Sequence, residues 1–192
     1  AIDDRPQVIE KCWKAEGVKV LAAEWHGEAQ PTAQAPANAP VLILLVGPSC
    51  AGKSTYILAN FDPHVFYVLS SDVLRQTITG DFKDQTRNDE VFARLHTITK
   101  ELLWSGNNVV VDATNIRDAD RKKFLELAPP NAHIEYHVFN RPMEQKYKDA
   151  GWRAELPFDL IAKHENTFNS NLKNILKGDN DPRVTVCDLR SK

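Results

Sequence analysis

The chain has 192 residues, of which 42% are hydrophobic and 26% are charged, and its formal net charge is -2. This length and composition suit one soluble domain with a substantial core, and the near balance of charge excludes a whole-protein attraction to nucleic acid, so that any such contact needs a local patch. Three cysteines are too few for a disulfide framework, which excludes a small disulfide-stabilised fold and favours a reducing compartment.

Nothing at the start of the chain has the charged and then apolar pattern of a leader, and the longest apolar run is the six residues of VLILLV. A run of this length is far too short to span a bilayer. We therefore expect a cytoplasmic protein with no membrane partner.

The first 40 residues predict an appendage to the rest of the chain. An amphipathic helix is predicted near its start, and residues 28–40 are rich in Ala, Pro, Gln and Asn without periodicity, which is typical of a linker. We therefore divide the chain into an appendage with its linker, residues 1–40, and a main domain, residues 41–192. Trp13 and Trp25 could pack back onto the core or dock a partner.

The motif around which the main domain is organised follows its first apolar run. Residues 47–54 read GPSCAGKS and precede a helix-compatible stretch. We call them the phosphate loop, because glycines at these positions let successive N–H groups point at one centre, to which the next helix adds its positive end. Lys53 would reach the β- and γ-phosphates of ATP, and the Ser54 hydroxyl would bind Mg²⁺. The predicted nucleotide-binding residues are Gly47, Ser49, Cys50, Ala51, Gly52, Lys53, Ser54 and Thr55.

Strands and helices are predicted to alternate along the rest of the chain. The apolar runs predict strands at 41–46, 65–69, 109–112, 133–139 and 184–189, and helical spacing predicts long helices at 88–105, 118–127, 142–151 and 158–177. We expect Gly106 to end one of these helices and Asp118 to cap another. This order, without hairpin signals, predicts an α/β fold with a parallel five-stranded sheet and helices on both faces.

Four polar clusters follow predicted strands: the phosphate loop, residues 71–72, residues 112–115 and residues 140–141. Because ligands of such sheets bind at the carboxyl ends of the strands, we expect the clusters to converge on one cleft. Asp112 ends a buried strand, as does the carboxylate that supports Mg²⁺ in phosphate-loop enzymes. Thr114 and Asn115 could complete a substrate-binding wall, or form a turn that bonds its own backbone.

Asp72 and Arg75 are one helical turn apart and could face the same acceptor pocket. A hydroxyl acceptor benefits from a carboxylate that takes its proton, so Asp72 indicates an alcohol acceptor, unless it only caps its helix. Arg153 lies in a basic segment between two helices, where it could close over ATP and contact the transferring phosphoryl group, or be a solvated charge. The basic run at 121–123 is interpreted as a solvated helix face.

On these motifs the chain resembles the polynucleotide kinase branch of phosphate-loop (P-loop) kinases, which includes the phage 5′-end-healing kinases. The resemblance covers about residues 41–178 and rests on the phosphate loop, SDVLRQ from Ser71 and VDATN from Val111. It implies a P-loop kinase fold with ATP and Mg²⁺ as cofactors. It also implies that Asp72 is the general base, that Arg75 contacts a phosphate of the acceptor and that Arg153 is the lid arginine.

The resemblance leaves three hypotheses open. The first is a kinase for a hydroxyl of a nucleic acid, either at a single-stranded 5′ end or on a modified DNA base such as 5-hydroxymethyluracil. The second is a kinase for a nucleoside, sugar or nucleotide-sugar, and the third is a non-catalytic nucleotide-binding module. We expect no phosphatase domain of the kind that many end-healing enzymes carry, since 192 residues leave no room for one, and we expect a phage-encoded enzyme to act in the host cytoplasm.

Overall fold

The computed structural model describes residues 38–152 and 157–190. The predicted N-terminal helix, Trp13, Trp25, most of the linker and Arg153 lie outside the described residues, so the division at residue 40 stays a prediction. Within the described part, no helix is both long and apolar enough to cross a membrane. The elements in chain order are β1 (Val41–Val46), α1 (Lys53–Asn60), β2 (Phe66–Ser70), α2 (Ser71–Thr79), α3 (Asn88–Trp104), β3 (Asn108–Asp112), α4 (Asp118–Leu127), β4 (His133–Val138), α5 (Met143–Trp152), α6 (Phe158–Ile175), a 3₁₀ turn (Gly178–Asn180) and β5 (Val184–Asp188).

The five strands form one parallel sheet, as predicted, and the structure shows their order to be β2-β3-β1-β4-β5. The first strand, β1, is central, and its Leu42 is paired with Val109 of β3 on one side and with Ile134 of β4 on the other. The chain direction across the sheet therefore reverses at β1. Such a reversal opens a crevice at the carboxyl ends of the strands, and the phosphate loop begins there.

Helices cover both faces of the sheet, also as predicted. Leu42, Leu44 and Val46 of β1 belong to one core, with residues of α3, α4 and α6, whereas Ile43 and Leu45 belong to a second core, with residues of α1. All five side chains are at most 3% exposed. Burying one such side chain contributes about 1.5–3 kcal/mol. A shift of β1 by one residue would exchange its two faces, so the alternation determines the register of β1 and thereby where the loop begins.

The helix ends agree with the sequence at one position and differ at another. Gly106 has a φ of 80° just after α3, as expected of a residue that ends a helix. The prediction that Asp118 caps α4 is wrong, because Arg117 occupies the N-cap and makes no side-chain capping bond. The carboxylate of Asp118 instead accepts a hydrogen bond from Nη2 of Arg121, 2.5 Å away.

The interpretation of the run 121–123 as a solvated face is wrong for its first residue. Arg121 is fully buried, and its guanidinium donates to both carboxylate oxygens of Asp179 at 2.7 and 2.8 Å and to the carbonyl of Asn115 at 3.0 Å. Lys122 and Lys123 are exposed, as expected. A buried guanidinium requires such a full set of acceptors, and here the carboxylate of Asp179 comes from a segment 58 residues away in sequence.

We expect Arg121→Met to destabilise the protein by about 3–5 kcal/mol, because the carboxylate of Asp179 would stay buried without its cation. The matched control is Lys122→Met, the same substitution at the exposed neighbour, which should change the free energy of unfolding by less than about 0.5 kcal/mol. Denaturant unfolding of both variants measures the difference. Equal stabilities would contradict the structural role of the Arg121 network.

Candidate active site

The phosphate loop turns tightly between β1 and α1, and two of its glycines are required by their surroundings. A Cβ atom on Gly47 would lie 2.4 Å from the carbonyl oxygen of Phe139, at the end of β4. Gly52 has a φ of 95°, and a Cβ atom there would lie 2.7 Å from the guanidinium of Arg141. The N–H of Gly47 donates to the carbonyl of Thr114, 2.9 Å away. The loop is therefore held between the segments that follow β3 and β4.

Lys53, the first residue of α1, folds back over the phosphate loop. It is 8% exposed, and its Nζ donates to the carbonyls of Gly47 and Pro48 at 2.9 and 2.8 Å. These bonds hold the ammonium at the start of the loop. The position fits the phosphate-binding role predicted for this lysine.

Ser54 and Asp112 form a pair that fits a magnesium site. The Oγ of Ser54 donates to Oδ2 of Asp112 at 3.3 Å, and Asp112, the last residue of β3, is 9% exposed. Residues 38–152 and 157–190 contain no group of three or more His, Cys, Asp or Glu side chains that could hold a metal ion. Mg²⁺ bound with a nucleotide does not need such a group, since it keeps several waters and takes one or two protein oxygens besides the phosphates.

The predicted acceptor residues Asp72 and Arg75 are in direct contact. The carboxylate of Asp72 accepts a hydrogen bond from Nη1 of Arg75 at 2.6 Å, and its side chain is 69% exposed. The helix they share, α2, has Ser70 at its N-cap without a side-chain capping bond, so Asp72 does not cap it. Ser71 donates to the carbonyl of Asp112 at 3.4 Å, which brings the start of α2 beside the Ser54–Asp112 pair.

Arg75 is buried more deeply than its predicted role suggests. Only 4% of the residue is exposed, and besides Asp72 it donates to the carbonyl of Phe82 at 3.2 Å and to Oδ1 of Asn88 at 3.0 Å. It therefore connects Asp72 with the segment between α2 and α3. Its predicted contact with a phosphate of the acceptor stays a prediction.

Thr114 and Asn115 form hydrogen bonds with the start of the phosphate loop and with β1. Asn115 has a φ of 48° and is 2% exposed, and its amide Nδ2 donates to the carbonyl of Leu45 in β1 at 2.9 Å. Thr114 contacts the loop through its backbone carbonyl. These bonds go to β1 and to the start of the loop, and not to the backbone of residues 112–115 as the turn-forming alternative expected. Contact of either residue with substrate stays a prediction.

The segment around Arg141 and Lys146 differs from the sequence interpretation. Lys146 is the first residue of the basic segment that includes Arg153. It is fully buried and forms an ion pair with Glu165, so this residue belongs to the core and not to a segment that could close over ATP. The helix α5 also continues through the glycine at which it was predicted to end, to Trp152. Arg141, in the last polar cluster, donates to Asp149 at 2.7 Å and lies against Gly52. Together with the contacts above, this brings all four polar clusters to the cleft around the loop.

His164 of α6 contacts the phosphate loop, although no motif in the sequence predicts it. Its Nδ1 lies 2.9 Å from Oγ of Ser49. Burial lowers the pKa of His164 to about 4, with further contributions from the positive charges of Lys53, Lys163 and Arg117, while Asp72 acts in the opposite direction. The imidazole is therefore neutral at pH 7. No local pattern in α6 distinguishes this histidine, because the loop that it contacts is 115 residues away in sequence.

The chain is similar to known proteins in sequence and in fold. A family model described as an AAA domain (AAA_33) matches residues 42–173. No curated protein sequence is significantly similar to the chain. A solved chain of the Pnkp1/Rnl/Hen1 RNA repair complex is 25% identical, with a TM-score of 0.62, over 72% of this chain and 47% of that one. The match thus spans about half of the solved relative's length.

Two further structures share the fold. A gluconokinase from Sinorhizobium meliloti 1021 is 18% identical, with a TM-score of 0.51, over 81% of this chain and 86% of that one. The AvrRxo1-ORF1:-ORF2 complex with ATP contains a chain that is 16% identical, with a TM-score of 0.58, over 79% of this chain and 55% of that one. These likenesses confirm the predicted fold class.

We expect Gly47→Ala to weaken nucleotide binding by about tenfold or more, because its Cβ must displace the loop from the Phe139 carbonyl and with it at least one N–H donor. Gly80→Ala is the control: Gly80 has a φ of 81° but has nothing within 4 Å of the added Cβ. This variant should lose about 1–2 kcal/mol of stability from backbone strain and keep its affinity. Calorimetric titration with ATP and Mg²⁺ compares them, and unchanged affinity in Gly47→Ala would contradict the site.

Proposed function

We propose, on the premise that this chain belongs to the AAA domain family and to the polynucleotide kinase-like branch of P-loop kinases, that it transfers the γ-phosphate of ATP to a hydroxyl group of a nucleic acid. The acceptor would be a 5′-hydroxyl end or a hydroxymethyl group on a modified DNA base. One observation carries the transfer to an alcohol: the exposed carboxylate of Asp72 lies at the same edge of the sheet as the phosphate loop and the Ser54–Asp112 pair. The likeness to a chain of the RNA repair complex supports a nucleic acid as that alcohol. A phosphotransferase with an alcohol acceptor needs a donor half, which binds ATP and Mg²⁺, beside an acceptor half, which supplies the base.

The donor half would work by positioning and by neutralising charge. The loop's N–H groups and the start of α1 favour phosphate oxygens, and the ammonium of Lys53 would exchange the carbonyls of Gly47 and Pro48 for them. Ser54 and Asp112 would hold Mg²⁺, which neutralises charge on the β- and γ-phosphates when it is bound. ATP is therefore the expected donor, and the likeness to an ATP complex supports this at the level of fold.

The acceptor half would supply a base. The carboxylate of Asp72 would accept the proton of the attacking hydroxyl, and Arg75 would orient it through the 2.6 Å bond from Nη1. Because Arg75 also holds Phe82 and Asn88, the segment between α2 and α3 would move together with the base. A bound acceptor lying against that segment would thus align the carboxylate with its own hydroxyl.

A small-alcohol kinase is the second candidate, and the burial of Arg75 favours it. The cation expected to bind an acceptor phosphate is 4% exposed and bonded to three protein oxygens. A neutral sugar or nucleoside would need no such cation. The likeness to a gluconokinase fits this reading at the level of fold alone, whereas the RNA repair complex supports the first candidate.

We expect Asp72→Asn to bind ATP normally and to lower the rate of transfer by about 10²-fold or more, the usual scale of a general base. Asp89→Asn is the matched control, because Asp89 is an exposed carboxylate in the first turn of the neighbouring helix α3. Single-turnover transfer rates and ATP dissociation constants measure both effects. A rate for Asp72→Asn equal to that of Asp89→Asn would exclude Asp72 as the base.

The acceptor is tested by transfer of labelled γ-phosphate to 5′-hydroxyl oligonucleotides, hydroxymethylated DNA, nucleosides and sugars, with Lys53→Ala as the inactive control. We expect label on a polynucleotide, with an acceptor KM that rises with salt as for about one to three phosphate contacts. Transfer to a neutral alcohol with no salt dependence would establish the second candidate. ATP binding without transfer to any acceptor would indicate a non-catalytic module.

A further inference from the structure

The tip of the phosphate loop is covered by the two helices that follow β4. Besides the contact between Ser49 and His164, the next loop residue, Cys50, packs against Ala150 of α5 and Ile161 of α6. Cys50 is 5% exposed and has a φ of 59°, and both of its partners are fully buried. The contact between His164 and the loop is therefore part of a packed interface between the loop and the two helices.

Polar contacts next to His164 hold α6 in this place. Glu165 forms an ion pair with the fully buried Lys146 of α5 and accepts a hydrogen bond from Nδ2 of Asn140, 3.1 Å away, just after β4. Removing one partner of a buried ion pair is strongly destabilising, so α6 cannot easily slide along the loop. The position of the imidazole is thus determined by the sheet end as well as by its own helix.

The charges that face His164 come from both halves of the site. Lys53 of α1, Arg117 before α4 and Lys163 of α6 disfavour its protonation, and Asp72 of α2 favours it. The lysine of the donor half and the carboxylate of the acceptor half thus both act on the charge of the ring, and the 2.9 Å contact with Ser49 places the ring at the phosphate loop. The group that must occupy the space between those halves during transfer is the terminal phosphate of the nucleotide.

We propose that His164 binds the terminal phosphate of ATP. In the nucleotide-free protein the imidazole is neutral and bonded to Ser49. Burial is the largest cause of the lowered pKa of the ring, and the nearby cations add to it. Nucleotide phosphates would offset those cations and accept a charge-assisted hydrogen bond from the protonated ring, so that the ring takes up one proton from solvent and donates to a phosphate oxygen. The inference rests on the proposed function only in requiring that the chain binds a nucleoside triphosphate, and it adds a phosphate ligand supplied by α6.

The proposal predicts proton uptake that depends on the terminal phosphate. Protonated imidazole is more available at lower pH, so the preference of the wild type for ATP over ADP should increase as pH falls from about 8 to about 6. His164→Asn can still bond to Ser49 but cannot take up a proton. We expect it to lose this pH dependence and to bind ATP about tenfold more weakly near pH 6, while its ADP affinity stays within about twofold.

Calorimetric titration of the full chain with ATP and with ADP, at saturating Mg²⁺ and in two buffers of different ionisation enthalpy, measures affinity and proton uptake together. His64→Asn, at an exposed position before β2, is the control and should match the wild type. Comparing variants at equal pH removes the titration of the nucleotide itself. Thermal unfolding checks the fold of His164→Asn, and His164→Gln replaces it if it does not fold.

Wild-type proton uptake in His164→Asn, or an equal loss of ATP and ADP affinity, would overturn the proposal, the latter because it would indicate a structural role only. A wild type that binds no nucleotide would overturn this inference and the proposed function together. A chain that binds ATP as described but phosphorylates no polynucleotide would overturn only the proposed function.

Discussion

The close approach of the Phe139 carbonyl to Gly47 is the constraint on which the rest of the site depends. It leaves no room for a side chain at the start of the phosphate loop, and on the other side the N–H of Gly47 is bonded to Thr114. Both neighbours follow strands that flank β1 in the sheet. The position of the loop therefore depends on the register of three parallel strands. A shift of any of them would move the N–H groups that are expected to donate hydrogen bonds to phosphate.

Two buried charge networks hold the segments that contact the loop in place. In the first network, Arg121 donates to Asp179 and to the backbone carbonyl of Asn115. The side-chain amide of Asn115 in turn donates to a carbonyl of β1. Above the loop, Lys146 and Glu165 fix α6, and thereby His164, over Ser49. Buried ion pairs are poor sources of net stability but are costly to break. They suit a site in which backbone donors must stay in place while charged ligands come and go.

The sequence predicted what depends on local pattern. Apolar runs predicted all five strands, the glycine and lysine spacing predicted the loop, and the contact between Asp72 and Arg75 follows from their separation by one helical turn. Local pattern failed for Arg121 and Lys146. Both lie in charged stretches of the kind that is usually exposed, but both are buried and pair with carboxylates 58 and 19 residues away. The same limit hid His164, since only the folded chain brings α6 to the loop.

Lys53 connects the structure described here with the proposed chemistry, because its ammonium is bonded to the carbonyls of Gly47 and Pro48 and is expected to move to phosphate. The most direct test is a crystal structure of the chain with Mg²⁺ and a non-hydrolysable ATP analogue. We expect Lys53 to leave the two carbonyls for oxygens of the β- and γ-phosphates, with Mg²⁺ beside Ser54 and Asp112. An analogue bound away from the phosphate loop, or a lysine still bonded to Gly47 and Pro48, would contradict it.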